Sequence, residues 1–386
     1  MALRNYTFLG LLMLCGFAIV GQLYVTIPLV PQIAANFGVT ASKAALAGTA
    51  FGFAYAAGFL ILGPLTDRFN RKRVILAGLI LTAIATILVG MANSFGLLLI
   101  LRAVQGLAAS LFPPAALSLI AEDLPQAHRP LGISLMSFAF LGAAPLAQFF
   151  GGEIGDLSLI MFAIVPLYLI GAVGLQFTTN AGQGGLKAAG PTTRPKPGIG
   201  SLLQNAAIPP GWLAAFTVLF SFVMFHSGAQ ALNDGLAIDL QSLRLVGLPP
   251  LLLTIAAAPV TRRFGPSVTA RLGLVIMVFG LSLAALGTSV AVLAASAIVS
   301  AGVAFAVPGL IGTVASEATN DNRGLALAVY TFSLFLGASV APPVAQALAA
   351  YGSGPTWLLP AITLVVAALV ITISMRRKTT SMSTAK

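Results

Sequence analysis

Charge is what this sequence has least of. Of its 386 residues, 20 are Lys or Arg and nine are Asp or Glu, together 8%. An average soluble domain carries roughly 25%, so a water-soluble surface is excluded for a chain of this length. Cysteine is reduced to Cys15, which rules out an intrachain disulfide. With two histidines, His128 and His226, no metal-ligand cluster can be assembled, and no metal is expected. A phosphate loop of the Gly-x-x-x-x-Gly-Lys-Ser/Thr type is absent, which argues against ATP drive within the chain. The apolar runs hold no clustered His, Asp, Ser or Cys, so no catalytic residues, no cofactor and no enzyme activity are expected. The net charge of +11 is read as loop asymmetry at a membrane, not as a nucleic-acid surface.

What the sequence has instead is hydrophobicity, 58% of residues at a mean hydropathy of +0.99. It also has 40 glycines, the small residues that let membrane helices approach. A span needs about 20 apolar residues. Twelve such runs are expected, near 7–29, 44–62, 74–92, 96–120, 131–150, 158–177, 212–233, 242–259, 268–286, 290–314, 325–348 and 356–375. The first, following Arg4, is too long for a signal-peptide core and is expected to be retained. Thr178 to Pro210 is rich in Gly and Pro and reads as a linker. The expected organisation is therefore a six-helix bundle over 1–180, a cytoplasmic linker over 181–210, a second bundle over 211–378 and a cytoplasmic tail over 379–386. With both termini cytoplasmic, 17 of the 20 basic residues fall inside, as the positive-inside rule requires. Lys43 and Arg244 are left outside, and Arg102 is left within a span.

The two halves repeat one another. Gly63-Pro64-Leu65-Thr66-Asp67-Arg68-Phe69 aligns with Ala258-Pro259-Val260-Thr261-Arg262-Arg263-Phe264 at an offset of 195 residues, and Glu122 meets Glu317 at the same offset. Arg129 meets Arg323 one residue out of register, and Ala144-Pro145-Leu146-Ala147-Gln148 echoes the run from Ala341 to Gln346. Parallel six-helix repeats are a transporter design, with a site near the midplane exposed to each side in turn.

At these motifs the chain resembles the major facilitator superfamily over essentially its whole length. The loop signature of that family between helices 2 and 3 is matched by Gly63, Leu65, Asp67, Arg68, Arg71, Lys72 and Ile75, with Thr66 and Asn70 as departures. Asn tolerates a left-handed turn better than other non-glycine residues, so the loop geometry is expected to survive at Asn70. A second signature, on helix 4 and typical of proton-coupled branches, is matched by Leu98, Arg102, Gln105 and Gly106. A third, near the end of helix 5, keeps Pro145 but has Ala144 for its glycine and a displaced Gly151-Gly152 pair. The resemblance implies an all-α membrane fold of twelve helices in two pseudo-symmetric six-helix bundles, similar to the drug/proton antiporter branch.

The implied function is secondary active transport by alternating access, as proton-coupled efflux of small apolar or amphipathic, drug-like molecules, from a monomer in a bacterial cytoplasmic membrane. Its partners are the small-molecule substrate, protons and the bilayer, with no nucleic acid. The alternative is import or export of one metabolite, such as a sugar or amino-acid derivative. Gly63, Asp67, Arg68, Arg71, Glu122 and Arg129 are the expected inner gate, with Asp67 facing the start of helix 11 near Gly324 in the manner the resemblance implies. Arg102 and Gln105 share a helix face, and with His226 and Asp234 they are candidates for proton coupling or substrate contact. A central arginine costs about 2.5–3.5 kcal/mol even on insertion scales, so Arg102 must find a polar partner. None of the nine acids lies mid-span; helices 1 and 4, where many relatives keep a carboxylate, have none. Neutral or anionic substrates are therefore better supported than cationic ones. Gln22, Tyr24, Phe138, Phe220, Met224, Phe305, Phe332 and Phe335 are the candidate cavity wall.

Overall fold

A computed structural model describes residues 2–63, 69–178, 199–319 and 322–384. Twelve helices among these residues are long and apolar enough to cross a membrane. In chain order they are span 1 (Arg4–Tyr24), span 2 (Ala41–Ile61), span 3 (Arg71–Gly90), span 4 (Phe95–Ile120), span 5 (Leu131–Ile154), span 6 (Leu157–Thr178), span 7 (Ile208–Ala231), span 8 (Leu240–Phe264), span 9 (Pro266–Ala284), span 10 (Ser289–Glu317), span 11 (Arg323–Ala349) and span 12 (Ser353–Ser374). Every expected apolar run coincides with one of them to within a few residues. In a bilayer the backbone must satisfy its own hydrogen bonds, and helices do so within each segment.

The chain divides into two compact units, Met1–Pro191 and Thr192–Lys386. In unit 1, span 1 packs on spans 5 and 6, span 2 on span 4, and span 3 on spans 4 and 6. In unit 2, span 7 packs on spans 11 and 12, span 8 on span 10, and span 9 on spans 10 and 12. The pairing is the same list six spans later, so the sequence repeat is also a repeat of helix packing. Residues 179–198 lie outside the described residues, but Ile199–Leu203 is a short helix and the helix of span 7 starts at Ile208. The expected tail is helical too, since the last helix runs Ser353–Thr384.

Local chemistry explains where the helices start. The Ser94 hydroxyl accepts from Leu97 N at 3.3 Å and opens span 4. Thr288 does the same for span 10 through Ala291 N at 3.3 Å. Such caps take up backbone N–H groups that the first turn leaves unpaired. Asn70 is a third case, and it corrects the sequence expectation. Its φ is −58°, not left-handed, and its side chain accepts from Lys72 N and Arg73 N as the cap of span 3. Asparagine serves here as a capping acceptor, not as a substitute for glycine's conformational freedom.

Small residues set the spacing inside the units. A Cβ added at Gly273 of span 9 would collide with Ala306 N and come within 2.5 Å of Gly302 O, both on span 10. At Gly309 it would collide with Ala270 N and sit 2.7 Å from Ala270 Cα. Two helix backbones are therefore in direct contact, the packing that small residues permit in membranes. Gly273→Val should separate spans 9 and 10, since overpacking costs typically 1–3 kcal/mol, or about that. The expected result is a lower melting temperature of the purified protein in detergent, with Gly235→Ala, at a glycine whose Cβ would meet nothing within 4 Å, as the control that stays near the parent value.

Candidate functional site

Span 4 carries the residues that matter most in unit 1. Leu98, Arg102, Gln105 and Gly106 lie within two turns, and positions three and four apart share a face. All four are buried, Arg102 with 0% exposure. Gly106 is required by close approach: a Cβ there would run into the Phe51 carbonyl on span 2. The contact draws the backbone of span 2 onto span 4 and brings the Ala47 carbonyl to the arginine.

The guanidinium is then satisfied from several sides. Nε donates to Ala47 O at 3.1 Å, one terminal nitrogen donates to Gln105 Oε1 at 2.6 Å and Gln22 Oε1 at 3.2 Å, and the other donates to Gln22 O at 2.6 Å. Its face lies over the Phe51 ring, with Cζ 4.5 Å from the centroid, a cation–π contact. Gln105 Nε2 donates to Thr86 Oγ1 at 2.7 Å and to Gln22 Oε1 at 3.2 Å. Thr86 in turn donates to Thr82 O at 2.6 Å. The network thus ties spans 1, 2, 3 and 4, and Tyr168 on span 6 adds a bond from its hydroxyl to Ala18 O at 3.0 Å. Every partner of Arg102 named here is neutral. None of the seven acidic residues among the described residues is buried. A fixed positive charge with neutral acceptors can orient oxygen-bearing groups and repels cations.

The charged ends of spans 3 and 4 form a second cluster. Arg71 pairs with Glu122, both about half-exposed. Arg129 Nε donates to Leu124 O at 3.1 Å, so it fastens the turn before span 5. Lys72 Nζ donates to Gln176 O at the end of span 6, at 2.7 Å. Among the described residues, nothing lies within 4 Å of a Cβ at Gly63. Asp67 and Arg68 lie outside the described residues. An exposed ion pair of this kind contributes about 0–1 kcal/mol.

The remaining expected residues are spread over both units. Gln22 belongs to the Arg102 network, and Tyr24 is buried two residues on. Phe138 meets Phe17 edge-on at 5.9 Å, and Phe220 stacks on Phe216 at 5.8 Å. Met224 and Phe335 are buried; Phe305 and Phe332 are partly buried. His226 is buried on span 7, whereas Asp234 is exposed in the short helix Asn233–Leu236. Arg244, which the sequence leaves outside, lies near the start of span 8 at 4% exposure. Its position within the apolar run 242–259 was the available signal. Thr86, Phe51, Tyr168 and the Ala47 carbonyl were missed altogether, because no spacing in sequence shows which spans lie side by side.

A family model described as Major Facilitator Superfamily matches residues 12–256 and 230–385. The chain belongs to the Major Facilitator Superfamily. Its family and its twelve span-length helices make it a multi-pass membrane protein. Among similar proteins, the uncharacterized MFS-type transporter YwfA of Bacillus subtilis is 33% identical over 129 residues, 32% of this chain and 31% of that protein. Multidrug export protein EmrB of Escherichia coli is 31% identical over 127 residues, 33% of this chain and 25% of its own length. Quinolone resistance protein NorA of Staphylococcus aureus is 27% identical over 149 residues, 39% and 37% of the two chains. The matched stretches thus span well under half of each of these relatives.

Arg102→Met keeps an unbranched stem but removes the guanidinium bonds to Ala47 O, Gln22 O and Gln105 Oε1, and leaves Gln22 Oε1 with only its bond from Gln105 Nε2. Each buried group left unpaired costs about 1–3 kcal/mol. The variant should melt well below the parent in detergent. Arg102→Lys should recover only part of the loss, because an ammonium cannot reproduce the planar fork. Full recovery by lysine would show that charge alone, not geometry, holds the network.

Proposed function

We propose that this transporter is a secondary active exporter of small apolar or amphipathic molecules, driven by the proton gradient and working by alternating access. The observation that carries the reading is the Arg102 network. An arginine at 0% exposure in an apolar helix bundle is expensive, and intramembrane charges that persist mark transport pathways. The absence of buried acids among the described residues favours neutral or anionic cargo over cationic. The printed functions of EmrB and NorA, multidrug export and quinolone resistance, point towards efflux of drug-like compounds. In this reading Arg102 and Gln105 take part in proton coupling or substrate contact. The protein acts as a monomer in a bacterial cytoplasmic membrane, with both termini in the cytoplasm.

A dedicated carrier of one metabolite is the competing reading, favoured by the density of amide and hydroxyl groups around Arg102. Expression in an efflux-deficient bacterium separates the two. An exporter of drug-like molecules raises tolerance to several unrelated compounds; a metabolite carrier raises tolerance to none or to close analogues of one.

In the same proposal Gly63, Asp67, Arg68, Arg71, Glu122 and Arg129 form the cytoplasmic gate that stabilises the outward-open state. Arg71→Glu and Glu122→Arg should each slow transport, and the double charge swap should restore most of the rate, because the pair seen between spans 3 and 4 is re-formed with reversed polarity. Asp67→Asn should shift the accessibility of cavity-facing cysteine probes towards the cytoplasm. Unchanged rates in both single variants, with unchanged accessibility in Asp67→Asn, would remove the gate from the account.

A further inference from the structure

Span 8 does not begin as one continuous helix. After span 7 ends at Ala231 come the short helix Asn233–Leu236, Ala237 at φ 47°, the helix Leu240–Gly247 and a 3-10 turn over Pro249–Leu252. The body of the span, Leu253–Phe264, follows. Asp239 anchors the first piece. It accepts from Gln241 N and Ser242 N, each at 3.1 Å, and from the Ser242 hydroxyl at 2.5 Å. The Ser242 hydroxyl and backbone N–H, with that of Gln241, hold its carboxyl below the usual range. Gln241 and Arg244, three residues apart, therefore stand on one face of a firmly capped turn.

Arg244 donates to Gln241 Oε1 at 3.0 Å and to Gln230 Oε1 on span 7 at 2.9 Å. One turn before Gln230 on the same face is His226, 3% exposed. Its Nδ1 lies 2.9 Å from Phe222 O. A carbonyl oxygen only accepts, so Nδ1 carries the proton, and Nε2 of the neutral ring is a bare lone pair. That atom is buried and has no hydrogen-bond partner. Phe222 and Phe225 pack against the ring edge-on at 4.7 and 5.2 Å. The acids at this end of unit 2, Asp234 and Asp239, are exposed.

A buried ring nitrogen without a partner calls for an explanation, and here its helix face also carries Gln230, the partner of a buried guanidinium. Arg244 lies on an interrupted membrane helix, and discontinuous helices build many transporter sites. We infer that Arg244 and His226, with Gln230 and Gln241, form a recognition site within unit 2 for a carboxyl group on the transported molecule. One carboxyl oxygen accepts from the guanidinium, a charge-assisted bond. The other shares a single proton with His226 Nε2, which satisfies the ring whichever of the two atoms holds it. An ammonium is repelled by Arg244, and a neutral amide keeps the hydrogen bond to the guanidinium but forfeits the attraction between opposite charges. The inference rests on reading the chain as a carrier of amphipathic molecules, and it narrows that class to carboxyl-bearing ones.

The test is calorimetric binding of octanoate, octanamide and octylammonium to the purified full-length protein in a non-ionic detergent. Octanoate should bind at least about tenfold more tightly than octanamide, the scale of one buried charge-assisted contact, with octylammonium weakest. Arg244→Gln and His226→Phe should each erase that preference. Equal affinity of the parent protein for octanoate and octanamide overturns the proposal without recourse to any variant, as does a preference that survives in both variants. The two readings fail separately. Octanoate preference with no compound moved by reconstituted protein keeps the site and removes the exporter; transport without octanoate preference does the reverse.

Discussion

Arg102 brings a full positive charge into the centre of a six-helix unit whose described acids all lie nearer its surface. In a bilayer that charge must be hydrogen-bonded by the protein itself, and much of unit 1 follows from the requirement. Gly106 has no side chain because the Phe51 carbonyl occupies its place. The same approach delivers the Ala47 carbonyl and the Phe51 ring to the guanidinium. Gln22 contributes both its side-chain and its backbone oxygen, which fixes the rotation of span 1. Gln105 passes the polarity on to Thr86, which orients span 3. A half-satisfied buried network is worse than an apolar core, so these residues act as a set.

Unit 2 shows how far the architecture is independent of that charge. Its helices pair in the same pattern, yet the span that corresponds to span 4 carries serines. Ser296, 194 residues after Arg102, donates to Leu243 O at 2.7 Å, as Arg102 donates to Ala47 O in unit 1. Glycines mark the close approach in both units: Gly106 on span 4 against Phe51 and Gly58 on span 2 against Ser110 in unit 1, and Gly247 on span 8, where a Cβ would meet the Ser296 and Ser300 hydroxyls at 2.7 and 3.1 Å, in unit 2. The buried cation has moved from span 4 to Arg244 on span 8. Duplication preserved the packing problem, and each half solves it with different chemistry.

The fold was legible in the sequence because bilayer thickness sets span length and the apolar runs are long. The caps were partly legible: Asn70 was noticed, but as a turn residue when its side chain is an acceptor for two N–H groups. Arg102 and Gln105 were readable as neighbours from their spacing, and Gln22 as a polar intruder in span 1. That these three touch, and that Phe51, Thr86 and the Ala47 carbonyl join them, depends on which spans pack together. The burial of Arg244 was not legible, because a basic residue near the end of a span reads as a loop residue. Backbone carbonyls, which accept two of the Arg102 bonds, have no sequence signature at all.

The most direct measurement is flux in liposomes. Purified protein is reconstituted with an imposed pH gradient, and a mixed panel of neutral, anionic and cationic amphipaths is followed across the membrane. The account predicts uphill movement of neutral or anionic compounds against proton flow, abolished when the gradient is collapsed by an ionophore. Movement that is only downhill and indifferent to the gradient, or confined to cationic compounds, would contradict it.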